Sequence, residues 1–113
     1  MKVSAESYGH AVILNLKGEV SEDDITMLNQ AVEHQLAGPE VVDIVLNLEG
    51  VPFMDSAALE YVLDLHERLA ERFGQVKLAR VGETMMSILL MTRLRSSFEI
   101  YEDIPEAVKA MQM

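Results

Sequence analysis

The chain contains no cysteine, which excludes a thiol nucleophile and a cysteine-ligated zinc site. Its three histidines, His10, His34 and His66, are far apart and fall in a turn and two expected helices. The run His66-Glu67-Arg68-Leu69-Ala70 lacks the second histidine that a zinc-protease helix requires. No glycine-rich phosphate loop is present, and Ser56, in Met54-Asp55-Ser56-Ala57-Ala58, lacks the flanking glycines of a nucleophile elbow. Neighbouring acids such as Asp23 and Asp24 read as helix-start residues rather than a catalytic pair. The expectation is a protein that is not an enzyme and carries no cofactor or metal.

Long apolar runs are also missing. The longest candidates, residues 41–48 and 85–91, fall far short of the roughly 20 residues a membrane span needs. The start of the chain, Lys2 followed by mixed polar residues, lacks the apolar core of a secretory signal, so a cytoplasmic location is expected. Basic residues are scarce: 9 against 19 acidic ones leave a net charge of −10. A nucleic-acid backbone or an anionic lipid surface is repelled by such a protein. The acids are spread along the chain, which reads as a solvated surface and leaves docking on a basic protein surface open.

What is present is the composition of a globular protein, half apolar and a quarter charged over 113 residues. That length suits one domain, residues 1–113, with one hydrophobic core. Residues 3–8 and 12–16 read as a hairpin around Gly9-His10, with Val12, Leu14 and Leu16 alternating against Ile13, Asn15 and Lys17. Gly18 ends that strand. Ser21 then reads as the N-cap of a helix with Glu22, Asp23 and Asp24 in its first turn, Ile25, Leu28, Val32 and Leu36 as its buried stripe, and Gly38-Pro39 as its stop. Residues 41–48 form an apolar run that suits a central strand covered on both faces.

At residues 46–59 the pattern changes from strand to helix, with Asp55 and Ser56 at the entrance. The helix is expected over 57–73, with Leu59, Val62, Leu63, His66, Leu69, Ala70 and Phe73 as its stripe and Gly74 as its end. His66 on that stripe reads as a hydrogen-bonded core or boundary residue. A strand over 76–81, a helix over 85–94, a short strand over 98–101 and a last helix follow. Asp103 caps that helix, and Ala107, Val108 and Met111 form its apolar side. The segment 85–91 is apolar almost all round; burial accounts for it, or else its methionines suit a partner or dimer surface. The fold class is therefore α/β: a mixed, mostly parallel sheet of about five strands with about four helices.

Gly18-Glu19-Val20, residues 46–59 with their Asp55-Ser56 pair, residues 76–81 and the closing Phe98-Glu99-Ile100-Tyr101 resemble a STAS domain over nearly the whole chain. A free-standing domain of this length resembles the anti-sigma factor antagonist branch of that family. The resemblance implies a non-enzymatic bacterial regulator of transcription. Its serine, here Ser56, is phosphorylated by an anti-sigma factor that is also a serine kinase and is restored by a phosphatase. It also implies that Asp55, Ser56, Ala57, Ala58, Glu19 and Ser21 contribute to the partner-binding surface. Ala58, Asn47 and Ser21 stand where the family more often has glycine, aspartate and aspartate. The alternative is a constitutive adaptor or transporter subunit in which Ser56 is only a helix cap.

Overall fold

The computed structural model describes residues 1–8, 11–37 and 43–111. The expected Gly9-His10 turn, the Gly38-Pro39 stop and the first two residues of the 41–48 strand lie outside them. The elements are β1 (Lys2–Tyr8), β2 (Ala11–Lys17), a 3-10 turn (Glu22–Asp24) leading into α1 (Ile25–Leu36), β3 (Asp43–Gly50) and α2 (Ser56–Ala70). They continue with β4 (Gln75–Ala79), α3 (Glu83–Met91), a 3-10 turn (Arg95–Ser97), β5 (Ile100–Tyr101) and α4 (Ile104–Met111). The strands form one five-stranded sheet in the order β1-β2-β3-β4-β5. β1 is antiparallel to β2 and every other neighbouring pair is parallel. This is the expected α/β architecture.

The period-2 pattern of the strands divides the core between two faces. Leu14, Leu46 and Leu78 point to the face covered by α1, α2 and α3, where they meet Val32, Leu69 and Leu89. Each such side chain contributes about 1.5–3 kcal/mol through burial. Ile13, Val45 and Ala79 point to the other face, beneath Ala107, Val108 and Met111 of α4. β3 lies between parallel neighbours with both faces filled, which explains its nearly continuous apolar run.

α4 is only eight residues long, so it covers part of its face. Along β2 and β3 the same face continues as Asn15, Lys17, Asn47 and Glu49, which line an open cavity. Lys77 is on this side as well and is only 2% exposed. Its ammonium pairs with the carboxylate of Glu99 and lies 5.2 Å from the centroid of the Tyr101 ring. Burial pushes the lysine pKa down, and the Asp43 carboxylate acts in the opposite direction.

Several expected boundaries shift for identifiable reasons. The buried line of α2 is Ala58, Leu59, Val62, Leu65 and Leu69; Leu63 and His66 sit at its margin and Ala70 is exposed. His66 sets its ring edge-on to Phe98 at 6.5 Å, and its Nδ1 is buried without a hydrogen bond, not bonded as expected. Phe73 is not part of the stripe: it is 96% exposed and has φ +62°. It occupies the left-handed position that ends α2, and the Gly74 N–H donates to the Leu69 carbonyl at 2.7 Å. β4 stops at Ala79 because Arg80 turns to φ +56°. α3 stops at Met91, and Arg93, with φ +63°, repeats the left-handed exit. Residues 95–97 form a 3-10 turn, so the last strand shrinks to Ile100–Tyr101. In α3 only Met85 and Leu89 are fully buried, whereas Leu90 is 59% and Met91 76% exposed; of the two readings of this segment, burial does not account for its last turn.

A left-handed backbone costs an ordinary residue about 1 kcal/mol that glycine avoids. Phe73→Gly is therefore expected to raise the unfolding free energy by about 1 kcal/mol, as measured by urea denaturation, because almost no packing is lost from so exposed a ring.

Candidate functional site

The strand-to-helix join is held from the side by the connection between β2 and α1. β3 leaves the sheet at Gly50, whose carbonyl accepts from the Gly18 N–H at 2.8 Å. Val20 then runs parallel to Met54 as an isolated bridge. Its N–H donates to the Phe53 carbonyl at 3.0 Å, and its carbonyl accepts from the Asp55 N–H at 3.2 Å. Val20, Val51 and Met54 are buried and anchor the two loops; Pro52 and Phe53 between them face solvent, the latter 42% exposed.

Asp55 fastens this arrangement. Its backbone is extended (φ −80°, ψ 178°), as an N-cap requires. One carboxylate oxygen accepts from the Ala58 N–H at 2.9 Å. The other accepts from the Glu22 N–H at 2.9 Å. The start of α2 and the turn before α1 thus share one carboxylate, which brings Glu19, Ser21, Asp55 and Ser56 to the same end of the sheet. In that turn the Asp24 carboxylate accepts from the Ser21 N–H at 2.9 Å and from its hydroxyl at 3.2 Å. Ser21 therefore starts a 3-10 turn, and the α-helix proper begins at Ile25.

Ser56 is the first residue of α2, not its cap. Asp55 takes the capping role because a charged acceptor makes the stronger bond to a helix N–H and because its second oxygen is already committed to Glu22. The Ser56 side chain is exposed, and its hydroxyl makes no hydrogen bond among the described residues. The N–H groups of Ser56 and Ala57 are likewise unbonded there, as the first N–H groups of a helix generally are. Ala57 is half-buried. Ala58 is 0% exposed, so of the expected partner-contact residues its side chain is the one that cannot touch a partner; it supplies the N–H that Asp55 caps. Beside the join, a groove of about 400 Å³ runs between residues 49–52 and residues 82–85.

The sequence matches the STAS domain family over residues 2–107. The chain belongs to the STAS family. A curated relative, the anti-sigma F factor antagonist of Paenibacillus polymyxa, is 21% identical over 113 residues, covering 100% of this chain and 97% of that protein. The STAS fold is shared with the crystal structure of an anti-sigma factor antagonist from Mycobacterium paratuberculosis, at TM-score 0.84 and 20% identity, over 99% of this chain and 94% of that one. It is shared too with the Bacillus cell fate determinant SpoIIAA in its phosphorylated form, at TM-score 0.74 and 20% identity, over 98% of this chain and 100% of that one.

Two contributors to this STAS site have no clear signal in the sequence. The backbone N–H of Glu22 reaches Asp55 only through the pairing of two loops, and the exposure of Phe53 depends on its apolar neighbours Val51 and Met54 filling the core first. Among described residues no three or more His, Cys, Asp or Glu side chains come together as metal ligands. Among the described residues no helix is long and apolar enough to cross a membrane.

The Ser21 N–H bond, joined by the N-terminal ammonium, holds the Asp24 carboxyl below its ordinary pKa. A group depressed in the folded state stabilises above its unfolded pKa, near 4, and loses that contribution as pH falls through its folded value. Asp24→Asn is expected to flatten the acid limb of the stability curve below about pH 4, as followed by thermal melts across that range. Asp55→Ala is expected to lower the unfolding free energy by about 1–3 kcal/mol and to speed amide exchange at both Glu22 and Ala58.

Proposed function

We propose that this STAS protein is an anti-sigma factor antagonist whose binding to a serine-kinase anti-sigma factor is switched by reversible phosphorylation of Ser56, with a phosphatase restoring the binding form. The observation that carries this reading is the division of labour at the start of α2. Asp55 does the capping, so the Ser56 hydroxyl stands exposed and free to react.

A phosphate on Ser56 adds about −1.5 to −2 charge. At the first position of a helix it meets the dipole and the unbonded N–H groups of Ser56 and Ala57, so the fold tolerates it. The surroundings are already acidic, with Glu19, Glu22, Asp23 and Glu60 all exposed. The unmodified surface therefore suits a basic partner, and Phe53 adds an apolar contact within it. Glu19, Ser21, Asp55 and Ala57 frame the contact around Ser56. The protein acts by binding and release, without a reaction of its own.

Incubation with ATP and the serine-kinase anti-sigma factor encoded nearest to it is expected to place one phosphate on Ser56, read by mass spectrometry of the peptide that contains Ser56. The phosphorylated protein should bind that kinase at least about tenfold more weakly, equivalent to about 1.4 kcal/mol, while melting close to the unmodified one. Ser56→Ala should bind and not let go. Phosphate on a different residue, or unaltered affinity after modification, would overturn the reading.

A further inference from the structure

We propose that the part of the sheet left open by α4 is a binding site for a small phosphomonoester dianion, separate from Ser56. The cavity there, about 750 Å³, is lined by Lys2, Ser4, Asn15, Lys17, Asn47 and Glu49, with Val3, Leu16 and Gly50 completing it. Its volume is in the range of small-molecule sites.

Lys2 and Lys17 are directly opposed in the antiparallel β1–β2 register. Like charges in that position repel and weaken the strand pair. Neither ammonium has an ion-pair partner among the described residues. Both are exposed, and in a chain with 19 acids and a net charge of −10 this facing pair of cations is a local positive spot that a dianion would match. Among the described residues lining the cavity the one acid is Glu49, and it is engaged by the Arg80 guanidinium at 3.0 Å.

The neutral groups are arranged to donate. The Asn47 amide donates to the Asn15 side-chain oxygen at 2.7 Å, and its own oxygen accepts from the Glu49 N–H at 3.1 Å. The Asn15 amide donates to Glu6 at 3.1 Å. Each asparagine oxygen thus accepts one hydrogen bond, while each NH₂ retains a second N–H and the Ser4 hydroxyl is unbonded among the described residues. Free donors and two ammonium groups around one space select a ligand rich in acceptor oxygens and doubly charged.

Backbone geometry holds Lys17 in place. The β2–β3 register shifts between Asn15 and Lys17, which brings Lys17 opposite Gly50. A Cβ on Gly50 would come 2.9 Å from the Lys17 Cγ. A side chain at this position would push the lysine stem aside, so the glycine leaves room for it across β3. The paired lysines match the charge of a single phosphate, whereas the net charge of the protein repels a polyanion.

The test is an amide NMR titration of the full chain at neutral pH with inorganic phosphate and with glycerol 3-phosphate, against sodium chloride at matched ionic strength. Saturable shifts at residues 2–4, 15–17 and 47–50 are expected with both phosphates and not with chloride. Lys2→Gln and Lys17→Gln should each weaken binding by about tenfold, and Ser56→Ala should bind as the unaltered protein does. Because both lysine replacements relieve repulsion, the double variant should melt no lower than the parent without phosphate. Shifts that match those with chloride, affinity unchanged in the double variant, or shifts centred on residues 55–58 would overturn the proposal.

Discussion

One carboxylate decides the geometry at the end of the sheet where α1 and α2 begin. Asp55 accepts from the first turn of α2 and from the turn that precedes α1, whose donor is 33 residues away in sequence. Without that shared acceptor, two loops would have to find separate partners for their helix-start N–H groups. With it, the serine that follows is placed at the first helical position and has no structural duty. The freedom of the Ser56 hydroxyl is thus a consequence of its neighbour's commitments.

The sheet beneath that end is asymmetric. One face is covered along its length by three helices, and the other by a single short one. Where α4 is present, the strand residues are Ile13, Val45 and Ala79; beyond it they become Asn15, Asn47, Lys17 and Glu49. Lys77 marks the edge of the same cover, where an ammonium is taken out of water only with Glu99 and the Tyr101 ring beside it. The polarity of each strand position follows how far α4 reaches.

The element order and the two-sided burial of β3 were legible because hydrophobic periodicity reports burial directly, and from β2 onward clear helix signals separate each strand from the next. The exits of the helices were not. Phe73 continues an apolar pattern and yet is exposed in a left-handed turn, since what ends α2 is a backbone conformation with no side-chain signature. Asp55 and Ser56 are both good caps by residue type. Choosing between them depends on a hydrogen bond from Glu22, a tertiary contact that local sequence does not encode. The last turn of α3 was open between burial and an exposed apolar surface; Leu90 and Met91 face solvent, because a helix at the margin of the sheet has only one side to bury.

The strand order has a consequence for how the molecule is made. Each strand pairs with the one before it in the chain, so order of synthesis and order of assembly coincide. Every residue that ties the two loops together, from Gly18 to Leu59, has been translated before β4 begins. A ribosome-bound nascent chain can therefore complete the Asp55 bracket while the remaining strands and α4 are still to come, with no long-range pairing awaiting the C-terminal part.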